Sequence, residues 1–405
     1  MSQVSAASGP RQLGKVPLVV LIALTSAVPP IATDLFLPAA PDMPAYFGTT
    51  AAVVNLVVVV FFFCMAVGTL VFGPLSDRYG RRPVMLASLA MFVLSSFAGA
   101  CATHIWVLIA LRVVQGLGGG GLVAIGTALV KDCFEGRTRE RVLVVLSAVG
   151  VIAPMIAPTL GAAILSFTTW RGTFVAMGIA SLAMTPIALK LREPLAPEDR
   201  ICESIGRTLG RLVVVGRNPR FTLFLLLIAL SGLPFMAYIS AAPYIYTDFF
   251  GLSKFAYGMY FAINASLSAI GAFAVVILVE HFRGRHLLTL VFGCGLASAL
   301  LVLLCGAASP IAFLLCFGLY SLMGGLVRPL TLGVLLDQQE GDTGSASSLI
   351  NFTNTAVGCL GMLLAAASWW SSYVSGLGII MTVSLGVVFF GYLAFLRSRF
   401  CSKGL

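Results

Sequence analysis

Two ionisable residues stand inside long, mostly apolar runs, and both could do chemistry there. Asp34 lies in Thr33-Asp34-Leu35-Phe36-Leu37-Pro38-Ala39-Ala40-Pro41, near the far end of the first run. Burial disfavours the charged form of a carboxylate, so a residue placed there can carry a proton reversibly. The plainer alternative is a carboxylate at the water interface that ends a helix, helped by Pro38. Arg112 lies in Leu108-Ile109-Ala110-Leu111-Arg112-Val113-Val114-Gln115-Gly116-Leu117-Gly118, about two turns into the fourth run. An Arg in hydrocarbon costs roughly 2.5–3.5 kcal/mol on insertion scales unless it faces protein and finds a partner. Helices formed by the first and fourth runs would cross in opposite directions, which puts Asp34 and Arg112 at similar depths. Each is a candidate partner for the other, directly or through water. A pair broken when Asp34 is protonated would couple proton uptake to helix movement; a permanent structural pair is the alternative. Gln115, one turn from Arg112, can hydrogen-bond the guanidinium or a ligand.

The elements that must position these residues are legible from composition. Of 405 residues, 59% are hydrophobic and 10% charged, against about 25% charged in soluble domains. Mean hydropathy is +1.02. The chain is expected to be all-α and membrane-embedded, since long continuous apolarity excludes the period-two alternation of a membrane β-barrel. At about 20 residues per crossing there is room for about twelve transmembrane helices. They fall at 15–38, 51–73, 83–103, 105–130, 142–166 and 171–190, then 220–246, 256–279, 286–307, 310–336, 345–368 and 373–396. The first run is read as a retained helix, not a cleaved signal.

The net charge of +10 is a topology signal. All of the 25 Lys and Arg except Arg112, Arg171, Lys254 and Arg328 fall at the two ends or in even-numbered loops. By the positive-inside rule both termini are cytoplasmic, and the basic excess is no nucleic-acid site. The nine cysteines show neither metal-ligand spacing nor a disulfide framework. No phosphate-binding Gly-rich loop with Lys-Ser/Thr occurs. No cofactor is expected.

Residues Gly73 to Pro83 read Gly-Pro-Leu-Ser-Asp-Arg-Tyr-Gly-Arg-Arg-Pro between two apolar runs. Such charge density predicts a short aqueous turn joining two membrane helices. Asp77 could cap the following helix or pair with an Arg across a bundle interface, and Arg78, Arg81 and Arg82 could bind acidic partners or anionic lipid. The pattern resembles the loop 2–3 signature of the major facilitator superfamily of transporters. The resemblance implies two pseudo-symmetric six-helix bundles, with a substrate site between them near the membrane midplane. It also implies gating by Gly73, Asp77, Arg78, Gly80, Arg81 and Arg82. Arg112-x-x-Gln115-Gly116-x-Gly118 resembles the helix 4 signature of antiporters in that superfamily. Ala153-Pro154-Met155-Ile156-Ala157-Pro158-Thr159-Leu160-Gly161-Ala162 resembles the helix 5 signature, with alanines at three glycine positions. This form, with Thr33-Asp34 through Pro41 and Trp170-Arg171-x-x-Phe174, is similar to drug/proton antiporters of the bicyclomycin–chloramphenicol resistance group. Pro154, Pro158 and Gly161 are accordingly expected to shape a helix that moves.

The halves echo each other. Gly120-Gly121-Leu122-Val123 returns as Gly324-Gly325-Leu326-Val327, an offset of 204 shared by Gly80-Arg81 and Gly284-Arg285. The expected division is an N-terminal bundle over 1–190, a linker over 191–219 and a C-terminal bundle over 220–405. In the linker Ile201, Ile205, Leu209 and Leu212 recur at helical spacing opposite Arg200, Glu203, Arg207 and Arg211, as in a surface helix. Phe36, Gln115, Tyr238, Tyr244 and Arg328 are candidate substrate contacts. Arg328 could instead pair with Asp337 or Glu280. The expected function is proton-coupled efflux of small molecules, drugs or antibiotics, across the bacterial cytoplasmic membrane by a monomer, with protons, substrate and membrane lipid as partners. The alternative on the same fold is import or export of a specific metabolite, anionic if Arg328 meets it. A sensor or membrane enzyme is disfavoured by the absence of an aqueous domain or nucleophile constellation.

Overall fold

The computed structural model describes residues 14–200, 205–282, 284–337 and 343–397. Among them are twelve helices long and apolar enough to cross a membrane. In the first half these are α1 (Lys15–Phe47), α2 (Ala51–Tyr79), α3 (Arg81–Ala100), α4 (Ile105–Cys133), α5 (Gly136–Leu165) and α6 (Trp170–Lys190). The second half has α7 (Pro219–Phe249), α8 (Lys254–His281), α9 (Gly284–Cys305), α10 (Pro310–Leu335), α11 (Gly344–Ala365) and α12 (Tyr373–Arg397). No strand occurs among the described residues. Helices prevail because lipid offers main-chain groups no partner, and a helix satisfies them within its own segment.

Two boundaries depart from expectation. The charged turn after Gly73 is almost entirely helical: α2 runs on through Asp77 and Arg78 to Tyr79, and α3 begins at Arg81. The connection shrinks to Gly80, whose φ of +102° is open to glycine and strained for other residues. The 29 residues of α2 span about 43 Å at 1.5 Å per residue, well beyond a hydrocarbon core of about 30 Å. Its last turns therefore carry charge outside the lipid without unwinding. Conversely, α1 is an α-helix only to Asp34, then a 3-10 turn over Leu37–Asp42 and a short helix over Met43–Phe47. Pro38 and Pro41, which lack N–H donors, account for the change of winding.

Small residues set the closest helix pairs. A Cβ placed on Gly120 of α4 would lie 2.2 Å from Met65 O of α2, and one on Gly68 would lie 2.6 Å from Leu117 O. The second half repeats the arrangement between α8 and α10: a Cβ on Gly325 would lie 2.0 Å from Ser268 O, and one on Gly271 2.0 Å from Leu322 O. Without side chains to separate them, these helices meet backbone to backbone.

The halves join chiefly through α2 against α11 and α5 against α8. Asn55 Nδ2 donates to Met362 O at 2.9 Å, and the Ser240 hydroxyl donates to Asn55 Oδ1. Tyr244 OH donates to Ala40 O at 3.3 Å, and Lys254 pairs with Asp42. All four links lie toward the end opposite the basic loops. At the basic end the connecting helix Ile205–Gly216 touches α2 and α11, burying Val215 and exposing Val213 and Val214. Ile201 and Glu203 of the expected amphipathic stretch lie outside the described residues.

Forcing a side chain into a backbone contact should cost about 1–3 kcal/mol. Gly120→Val should therefore lower the thermal midpoint of purified protein, whereas Gly150→Val, where a Cβ would meet nothing within 4 Å, should leave it unchanged. Equal midpoints would contradict the packing described.

Candidate functional site

Arg112 is fully buried, at 0% exposure. Its Nε donates to Val57 O at 3.1 Å; Nη1 donates to Ala32 O at 2.8 Å and to Gln115 Oε1 at 2.7 Å. Main-chain carbonyls have a second lone pair even inside a helix, so α1 and α2 supply acceptors without losing their own ladder. The rings of Phe61, Phe174 and Phe36 lie 4.8, 5.2 and 5.4 Å from the guanidinium carbon. Each desolvated cation–π contact contributes about 2 kcal/mol. Gln115 passes the chain on: its Nε2 donates to Ser96 Oγ at 2.7 Å, and that hydroxyl donates to Phe92 O at 2.6 Å. Nη2 of Arg112 has no hydrogen-bond partner among the described residues.

Asp34 is 4% exposed, and Thr33 Oγ1 lies 3.1 Å from its Oδ1. Of the two pairings with Arg112 that the sequence allows, direct or through water, the direct one is not made, since no ion pair within 4.0 Å joins them. The guanidinium does reach α1 at the anticipated depth, but at Ala32, two residues before Asp34. The main chain next to Asp34 packs against α5. A Cβ on Gly161 would sit 2.2 Å from Leu35 O, which places α5 directly on the main chain beside Asp34. Pro158 and Gly161 are buried, and Pro154 is half-buried in a helix that remains continuous past both prolines. At the same level Gly258 of α8 abuts Thr159 of α5, and the buried Tyr257 hydroxyl beside it is unpartnered.

The charges around Gly80 form a cluster that joins first-half residues to Glu193 of the linker. Arg81, only 7% exposed, donates from Nε to Asp132 Oδ2 at 2.7 Å and from Nη1 to Ser76 Oγ at 2.7 Å, and pairs with Asp77. Glu193 accepts from the main-chain N–H of Arg81 at 2.8 Å and of Arg82 at 3.0 Å. A carboxylate there satisfies unpaired donors and the positive end of the α3 dipole. Asp77 thus neither caps α3 nor reaches the other half; Glu193 and Asp132, unremarked in the sequence, hold the cluster. Arg82 donates to Leu189 O at 3.1 Å, and Arg78 lies over its neighbour Tyr79 at 5.3 Å. Gly73 has open space around it, with nothing within 4 Å of a Cβ placed there.

Of the five candidate substrate residues, only Arg328 lines the cavity of about 450 Å³ in the second half. Phe36 and Gln115 are committed to Arg112. Tyr238 is buried, accepts from Asn264 Nδ2 at 3.0 Å and stacks on Phe317 with centroids 4.1 Å apart. Tyr244 is bonded to Ala40 and stacks on Tyr373. Ser231, Ser268, Ser347, Asn351 and Asn354 line the cavity and went unread in the sequence. Their type and spacing along α7, α8 and α11 were the available signal.

Twelve crossing helices in two halves, buried charge within the first and a largely apolar cavity with a few polar groups in the second describe a membrane carrier of small molecules. The model of the Major Facilitator Superfamily matches residues 22–362, and the chain belongs to that family, whose members are transporters rather than enzymes. It is 28% identical over 380 residues to an uncharacterised transporter, YdgK, of Bacillus subtilis, covering 92% of this chain and 94% of that one. It is 29% identical over 270 residues to a chloramphenicol resistance protein of Pseudomonas aeruginosa, covering 66% and 64%. To the multidrug resistance protein MdtL of Citrobacter koseri it is 25% identical over 363 residues, covering 88% and 90%. A crystal structure of a D-xylose–proton symporter superposes with TM-score 0.73 at 13% identity, covering 96% of this chain and 99% of that one, and so shares the fold.

A lysine at position 112 cannot span two carbonyls and an amide as a planar guanidinium does. With charged hydrogen bonds contributing about 1.5–3 kcal/mol each, Arg112→Lys should cost at least about 2 kcal/mol in SDS-induced unfolding. Arg141→Lys, at an exposed position, should be neutral. An unchanged unfolding curve for Arg112→Lys would contradict the role assigned to these bonds.

Proposed function

We propose that this transporter exports small molecules, drugs or antibiotics among them, across the bacterial cytoplasmic membrane in exchange for protons. The observation that carries the reading is Asp34: a 4%-exposed carboxylate, without a counter-ion among the described residues, where α5 lies on α1 and α8 lies on α5. Protonation there removes a charge that the apolar surroundings disfavour, so the two protonation states favour different packings of α1, α5 and α8. The names of the chloramphenicol resistance and multidrug resistance relatives support drugs as cargo. The basic residues support cytoplasmic termini.

With that orientation, the links made by Asn55, Ser240, Tyr244 and Lys254 close the outward side. Alternating access then requires these links to part and the basic end to close. The charge cluster around Arg81 is gating machinery of the rigid-body kind: it braces the ends of α2, α3 and α4 as one piece. Arg112 holds α1, α2 and α4 together beside the proton site, so a change at Asp34 moves a unit and not a single helix. The proton gradient supplies the energy, and no cofactor takes part.

The test is accumulation of chloramphenicol and a panel of drugs in cells with and without the protein, before and after collapse of the proton gradient. Cells carrying the protein should accumulate less of at least one compound only while the gradient stands. Asp34→Asn should raise that accumulation to the level of cells lacking the protein, with membrane expression unchanged. Gradient-driven export retained by Asp34→Asn would place proton coupling elsewhere.

A further inference from the structure

The second-half cavity is bounded by α7, α8, α10 and α11. Its volume of about 450 Å³ falls in the range of small-molecule sites. Part of the lining is apolar, contributed by Phe235, Met236, Val327, Leu332 and Ile350. Among the described residues of the lining, Arg328 is the one that is formally charged, with no Asp, Glu, Lys or His beside it.

The guanidinium of Arg328 is conspicuously under-used. It is exposed to the cavity, and its polar contact among the described residues is a long one, Nη2 to Asn351 Oδ1 at 3.4 Å. Glu280 does not pair with it, and the side chain of Asp337 lies outside the described residues. Several hydroxyls of the lining are already spent on the protein: Ser231 on Ile228 O, Tyr320 on Ser231 O, Thr355 on Asn351 O. Ser268, Ser347 and Asn354 make no hydrogen bond to the described residues and line the same cavity as Arg328, where they are further donors. An Arg within a spanning helix is costly without a partner, and an arriving anion supplies one through charge-assisted bonds. Among the described residues of the lining, a cation would meet like charge and no carboxylate.

We propose that this cavity is a binding site for small amphipathic organic anions. A single carboxylate-type oxygen group sits on Arg328, with Ser347 or Asn354 donating to it, and the apolar body lies against Phe235 and Met236. The proposal rests on the transporter reading for its physiological meaning, since it names the cargo class. The site itself is tested without transport.

The test is equilibrium binding of 2-naphthoate, its neutral analogue 2-naphthamide and tetraphenylphosphonium to purified full-length protein in detergent, where no proton gradient exists. The wild type should bind the naphthoate about tenfold or more tighter than the amide, the difference that one charged hydrogen bond makes, and should bind the cation weakest. Arg328→Gln should remove the preference for the anion while leaving amide affinity intact, which shows that the cavity survives. Absence of naphthoate binding by the wild type, no preference over the amide, or a preference retained by Arg328→Gln would each overturn the proposal. Repeating the measurement in phosphatidylcholine nanodiscs with and without phosphatidylglycerol separates a free anion from a lipid headgroup. Displacement of naphthoate by the anionic lipid would assign the site to lipid and overturn it. Failed export with sustained naphthoate binding would sink the efflux reading alone.

Discussion

A full positive charge, buried among four helices without a counter-ion in bonding range among the described residues, is the constraint on which the first half depends. Arg112 is tolerated because two main-chain carbonyls, one amide and three aromatic faces replace water around it. Each of those groups comes from a definite rotation of α1, α2, α4 or α6, so satisfying the guanidinium fixes how the helices face each other. Between helices in lipid there is little hydrophobic drive, so packing and polar contacts must supply specificity. The glycines of α2 and α4 bring the backbones close, and Arg112 selects the register. Asp34 lies one step around α1 from this knot, close enough to feel its packing yet free of a direct bond to it.

The two ends of the molecule are built differently. At one, hydrogen bonds and an ion pair run between the halves through Asn55, Ser240, Tyr244 and Lys254. At the other, the dense charges around Arg81 bond to Asp77 and Asp132 of the first half and to Glu193 of the adjoining linker. A hinge-like exchange of the closed end needs this asymmetry: contacts between halves that can be traded, and contacts within a half that persist. The proposed proton site sits near the closed end, where α5 and α8 meet, and the cavity holding Arg328 lies within the second half. Coupling would therefore pass through whole helices, and it needs no chain of side chains from Asp34 to the cavity.

Much of this was legible beforehand, and the gaps have physical reasons. Uniform apolarity and the placement of Lys and Arg give twelve crossings. Asp34 and Arg112 stand out because charge is rare where lipid would be. Their relative facing was not legible: spanning helices are apolar on nearly all sides, so periodicity carries little information on rotation. Hence the sequence leaves open whether Asp34 and Arg112 meet directly or through water, and it gives no sign of the carbonyl ligation of Arg112. Likewise the stretch from Gly73 reads as a turn because charge and Gly-Pro usually break helices, whereas α2 simply outruns the lipid. Glu193 and Asp132 were invisible as partners of Arg81 because they lie 112 and 51 residues away in the chain. The cavity serines and asparagines were hidden by ordinariness, since single Ser or Asn residues in a membrane helix more often bond their own backbone.

The central claim is that occupancy of a proton on Asp34 and occupancy of the carrier by its cargo are linked. Its most direct test is the release of protons by purified protein, in weakly buffered detergent near neutral pH, on adding a compound that the protein exports. The account predicts that binding expels a proton from wild type and none from the variant with Asn at position 34. Binding of the same compound at full affinity with no proton released by the wild type would contradict it.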